Sequence, residues 1–149
     1  MDTFVHLEVQ SSFSFLWGAF TPEQLVQRVT ALGQKAVALT DTGLHGAVPF
    51  YKAAVEAGVQ PIVGIKVSIW DGSPVTLLAR DFKGYGNLCR LLSITIDGGT
   101  TPTNLVTKQD LAHWSKGLLC LAGGRGSLIR SNIVRGRLDA ARFALLELK

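Results

Sequence analysis

The chain has 149 residues, 47% hydrophobic and 17% charged, enough apolar material for one compact core and too much for a disordered segment. Its formal charge of +4 is modest, and no apolar run approaches the roughly 20 residues that a membrane-spanning helix needs. The start "MDTFVHLE" lacks the basic and apolar regions of a secretion signal, so a cytoplasmic protein with no membrane partner is expected.

"HLEVQSS", residues 6–12, alternates apolar and polar residues, which predicts a strand with its polar side chains on one face. Thr21-Pro22-Glu23-Gln24 opens a helix, with Thr21 as cap, Pro22 in the first turn and Gln24 able to close a capping box. Leu25, Val26, Val29 and Leu32 continue it at helical spacing, and Gly33 ends it. "KAVALT", residues 35–40, is almost wholly apolar and reads as a strand buried on both faces. A second helix is predicted from about His45 to Ala57, and a second buried strand from Pro61 to Ile69. This alternation is the grammar of a mainly parallel α/β sheet.

The turn Asp71-Gly72-Ser73-Pro74 predicts a hairpin, with "VTLLAR" antiparallel to "KVSIW". A helix from about Gly86 to Ser93, a loop from Asp97 to Asn104, and a short helix opening at Thr107 to Asp110 follow. "GLLCLAG" is one more buried strand, and "GSLIRSNIVRG" with "LDAARFALLELK" forms two closing helices.

Cys89 and Cys120 stand in apolar contexts far from any CxxC pairing, so buried thiols are expected instead of a disulfide or zinc site. Residues 1–107 carry seven Lys or Arg against eight Asp or Glu, and residues 108–149 eight against three. The basic bias therefore lies with Arg125, Arg130, Arg135, Arg137 and Arg142. These lack interleaved aromatics and fit the solvated sides of helices more simply than a nucleic-acid face. "GGRGS" between a strand and a helix makes Gly124, Arg125 and Gly126 a candidate phosphate-binding loop, although it has neither Walker lysine spacing nor a full GxGxxG.

In α/β architectures ligands sit at the carboxyl ends of parallel strands. Those ends present Gln10 to Ser12, Asp41 to Gly43, the residues after Lys66, and Gly123 to Gly126. "FVHLEVQSSFSFLWGAFTPEQLV", "KAVALTDTGLHGAVPFYKAAVEAGVQPIVGIKV" and "PVTLLARDFKGYGNLCRLLS" together resemble the N-terminal PHP (polymerase and histidinol phosphatase) domain of bacterial DNA polymerase III alpha subunits. The resemblance covers nearly the whole chain and implies an incomplete or distorted PHP-type (β/α) barrel, residues 1–149 being one PHP-like domain and part of a longer polymerase chain.

Active members of that family carry an H-x-H pair, a D-H pair and a Glu that help to hold divalent metals for phosphoester hydrolysis. Here those positions fall on Glu8 and Gln10, Asp41 and Thr42, and Lys66. The resemblance thus marks Glu8, Gln10, Asp41, Thr42 and Lys66 as vestigial metal-site positions, with no catalytic residue, metal or cofactor expected. An ammonium in place of a ligating carboxylate repels a divalent ion by several kcal/mol at about 4 Å and intermediate dielectric, and Lys66 is expected to pair with Glu8 or Asp41 instead. Asp41 capping the following turn is the simpler alternative, and His6, His45 and His113 read as packing residues.

The implied function is a non-catalytic structural or interaction module in DNA replication, from a replicative or an error-prone subunit. Its implied partners are the polymerase core, the proofreading exonuclease subunit and, indirectly, DNA, and the parent polymerase would use Mg. Self-association through an incomplete barrel is also expected. The rival is a metal-dependent phosphoesterase or 3′-5′ exonuclease holding Zn or Mn on His6, Glu8, Asp41 and ligands past Lys149. A free-standing DNA-binding adaptor with steep salt dependence is the third alternative.

Overall fold

The computed structural model describes residues 4–97 and 105–148. The expected loop after Asp97 lies, apart from Asp97 itself, outside the described residues. Helix α1 (Pro22–Ala31) starts as the sequence dictates: the Thr21 hydroxyl accepts from Gln24 N, and the Gln24 side chain accepts from Thr21 N in return. Thr21→Ala removes one arm of this box and is expected to cost about 1 kcal/mol. That corresponds to a fall in Tm of about 2–4 °C by circular dichroism for a domain of this size.

Strand β1 (Ala36–Leu39) is buried throughout, as a strand covered on both faces must be. Helix α2 (Ala47–Glu56) returns the chain to β2 (Gln60–Ile69), which pairs parallel to β1 from Ala36↔Gln60 to Leu39↔Val63. The apolar faces of α1 and α2 close one core on β1 through Leu25, Val29, Val37 and Phe50. The turn at Gly72 then reverses the chain into β3 (Pro74–Ala79), antiparallel to β2 as its turn chemistry requires. Helix α3 (Phe82–Asp97) packs Leu88 and Leu91 against Ile65, Val67 and Leu77 in a second core.

The remaining elements are β4 (Leu105–Val106), α4 (Lys108–Trp114), β5 (Leu118–Leu121), α5 (Leu128–Val134) and α6 (Leu138–Leu146). The sheet runs β1-β2-β3-β5, with β4 also paired to β2. The two pairings to β3 are antiparallel and those of β1 and β4 to β2 are parallel, so the sheet is mixed, not mainly parallel. The hairpin at Gly72 is the cause: a tight turn can only reverse the chain, and β5 inherits that reversal by pairing with β3.

Three further expectations change. Residues 6–12 form no regular strand; His6 makes an isolated parallel bridge to Val37, and Val9 O accepts from Thr40 N. α3 begins four residues before the expected Gly86, because the Asp81 carboxylate accepts from Gly84 N at 2.7 Å and offsets the poor helix propensity of two glycines. β5 is half exposed, with Leu119 and Cys120 open to solvent and Cys89 only partly buried. As an edge strand it pairs on one side only. Among the described residues no helix is long and apolar enough to cross a membrane.

Candidate functional site

Backbone pairing creates the site. Lys66 N donates to Asp41 O, whereas Ile69 N donates to Ser73 O on the β3 side. Successive residues of a strand point their amides to opposite edges, so β1 and β4 lie along the same edge of β2, end to end. Where they part, between Asp41 and Ser68, a cavity of about 790 Å³ opens, bounded by Gln10, Thr42, Lys66, Ser68 and Arg125 among others. All four groups of strand-end residues named from the sequence therefore meet at one place. A second cavity of about 470 Å³ shares Gln10, Lys66 and Arg125 and adds Glu8, Thr76 and Gly124.

Asp41 is 1% exposed. Its Oδ1 accepts from Ser11 N at 2.7 Å and from the Ser14 hydroxyl at 2.6 Å, and its Oδ2 accepts from the Ser11 hydroxyl at 2.7 Å. Ser14 Oγ in turn accepts from Thr42 N and from the Gln10 amide. The carboxylate therefore fastens the segment after residue 10 to the end of β1. It neither caps its own turn nor pairs with Lys66: the three hydrogen bonds it accepts all come from Ser11 and Ser14.

Lys66 and Thr76 stand directly opposite in the β2–β3 ladder, which places their side chains on one face. Thr76 Oγ1 donates to Glu8 Oε1 at 2.5 Å, so Glu8 takes a neutral donor where an ion pair was expected. Among the described residues the one ion pair within 4 Å is Lys108–Glu147, at the surface. His6 packs edge-on against Phe4 at 4.7 Å, and His45 lines the larger cavity. His6, Glu8 and Asp41 do not converge; among the described residues no group of three His, Cys, Asp or Glu side chains is placed to hold a metal.

The loop at Gly124, Arg125 and Gly126 contributes Arg125 to both cavities. Two amides of the helix behind it are occupied: Leu128 N donates to the Ser73 hydroxyl and Arg130 N to the Ser127 hydroxyl. Sequence reasoning included Ser11 only within the strand-end group Gln10 to Ser12, gave it no role towards Asp41, and missed Ser14 and Thr76. Ser11 and Ser14 did leave a trace, as two of the three serines in the aromatic run "SSFSFLW", but their partner is at least 27 residues away.

A mixed α/β sheet with its polar strand ends gathered round one cavity is a ligand-site architecture. The family is given by comparison: the PHP domain model matches residues 6–149, and the chain belongs to that family. The error-prone DNA polymerase of Symbiobacterium thermophilum is 39% identical over 159 residues, covering 95% of this chain and 15% of that protein. DNA polymerase III subunit alpha from Buchnera aphidicola subsp. Schizaphis graminum is 36% identical, with 92% and 13% covered. The Deinococcus radiodurans subunit is 36% identical, with 96% and 12% covered. The chain thus spans less than a sixth of the length of these relatives. A crystal structure of a suggested metal-dependent phosphoesterase from Bifidobacterium adolescentis matches with a TM-score of 0.46 at 15% identity, covering 97% of this chain and 56% of that one.

Proposed function

We propose that this chain is the PHP-type domain of a bacterial DNA polymerase III alpha subunit, of the replicative or the error-prone kind, and that it acts there as a structural and interaction module without phosphoesterase activity of its own. The observation that carries the reading is the Asp41–Lys66 corner. The buried carboxylate at these strand ends already accepts three hydrogen bonds from Ser11 and Ser14, and the neighbouring strand position holds a lysine. Glu8 is tied to Thr76, and Gln10 and Thr42 supply only neutral oxygen. This donor set does not fit a cluster of divalent ions, which requires several carboxylates or imidazoles free to coordinate.

The polymerase assignment draws on relatives that match nearly all of this chain. Its natural partners are the polymerase core and the proofreading exonuclease subunit, with DNA engaged indirectly. The test combines metal content with activity. After dialysis against a chelator, Tm is expected to change by less than about 1 °C, since an ion that binds only the folded state adds about 2.7 kcal/mol at 100-fold saturation and its removal would be evident. Stoichiometric zinc or manganese surviving dialysis, or manganese-dependent hydrolysis of single-stranded DNA that Glu8→Ala abolishes, would establish the phosphoesterase alternative.

A further inference from the structure

We infer that α5 and α6 form a hinged arm that undocks from the sheet as one unit, pivoting on the glycines between β5 and α5, with Lys108 as its latch. None of the large apolar side chains of either helix is buried. The buried residues are Asn132, Ala141 and Ala144, whereas Ile133, Val134, Leu138 and Phe143 are each more than half exposed. A segment that hides so little apolar surface is weakly held to the body, and such segments open at a free energy well below that of global unfolding.

The helices are joined to each other more firmly than to the rest. Gly136 N donates to Ile133 O and Arg137 N to Asn132 O, closing the turn between them, and they pack chiefly on one another. Among the described residues two polar contacts fasten the pair to the body. Leu128 N donates to the Ser73 hydroxyl at 2.8 Å, and Lys108 of α4 pairs with Glu147 just past α6. The Lys108 ammonium also stands 5.2 Å from the centroid of the Trp70 ring, so one side chain ties the arm to both α4 and the end of β2. Leu148 is the one arm residue packed against the second core. Ile129 and Ala144 border a void of about 10 Å³ beside Trp70 and Val75, room for about one water, so the joint is not tightly filled.

At the other end of the arm Gly123, Gly124 and Gly126 stand within four residues, Gly123 at φ +86° and Gly126 at φ +89°. A Cβ added at Gly123 or Gly124 would meet nothing within 4 Å. No neighbour restrains the backbone there, and glycine leaves it free to turn. Arg125 lies inside this pivot and borders both strand-end cavities, so undocking moves one wall of each.

Hydrogen exchange of the 149-residue chain, read by mass spectrometry on peptides from α5, α6 and β2, tests this. The two helices are expected to exchange together, with protection at least about tenfold below that of β2. Lys108→Met should speed both by about three- to tenfold and leave β2 unchanged. Raising NaCl from about 50 to about 500 mM should also speed both, by screening the latch. Among the described residues no hydrogen bond or ion pair joins Lys108 to α5, so acceleration of α5 reports that the helices leave together. Ser73→Ala removes the second fastening and should act in the same direction. Arg135→Ala, exposed on the arm and without an ion-pair partner among the described residues, controls for charge and should change nothing. Protection equal to that of β2, acceleration of α6 without α5, or an effect of Lys108→Met no larger than that of Arg135→Ala overturns the inference.

Discussion

Asp41→Ala is expected to destabilise this protein by about 4 kcal/mol, lowering Tm by about 8–16 °C. The carboxylate is 1% exposed and accepts three hydrogen bonds from Ser11 and Ser14. Hydrogen bonds to a charged group contribute about 1.5–3 kcal/mol each, and buried donors left without an acceptor add their own desolvation cost. Asp41→Asn keeps one acceptor oxygen and should lose roughly half as much. Thermal unfolding followed by circular dichroism decides it. A fall of less than about 3 °C for the alanine variant would mean that the segment after residue 10 is held by something else.

The second large effect belongs to Gly18→Ala. A Cβ at this position would lie 1.9 Å from Ser11 O and 2.8 Å from Gln10 O, closer than a Cβ can stand to an oxygen it is not bonded to. Both obstacles are backbone, so no side chain can swing aside. The loop must open, breaking the bonds from Ser12 N to Phe20 O and from Gly18 N to Ser14 O, and about 3 kcal/mol is the expected cost. Opening it also draws Ser14 away from Asp41. The double variant Gly18→Ala, Asp41→Ala should therefore lose less than the sum of the two single losses, by about 1 kcal/mol or more. Strict additivity would show that loop and carboxylate are independent.

The fold was legible where a local rule sufficed. The Thr21 capping box, the apolar run of β1 and the reversal at Gly72 each depend on residues a few positions apart, and each forms as the sequence indicates. Legibility failed where a distant partner decides the outcome. Alternation in "HLEVQSS" pointed to a strand, but only His6 pairs with β1 through the main chain, and Val9 with Thr40 just past its end. Two glycines hid the start of α3, although Gly84 is required there: a Cβ would stand 2.0 Å from Gly117 O, a residue 33 positions later. The convergence of the strand ends was visible in advance because it follows from the architecture. The pairing of Asp41 and Glu8 was not, because charge alone favoured Lys66, and the hydroxyls of Ser11, Ser14 and Thr76 outcompete it through proximity that only the folded chain creates.

Because β1 and β4 meet β2 on one side and stop short of each other, the opening between them is framed by main-chain pairing. Such a frame is indifferent to the sign of the side chains that fill it. Evolution can exchange an acid for a base at position 66 by point substitution and keep the surrounding architecture, so descent read from the frame says nothing about which chemistry survives inside.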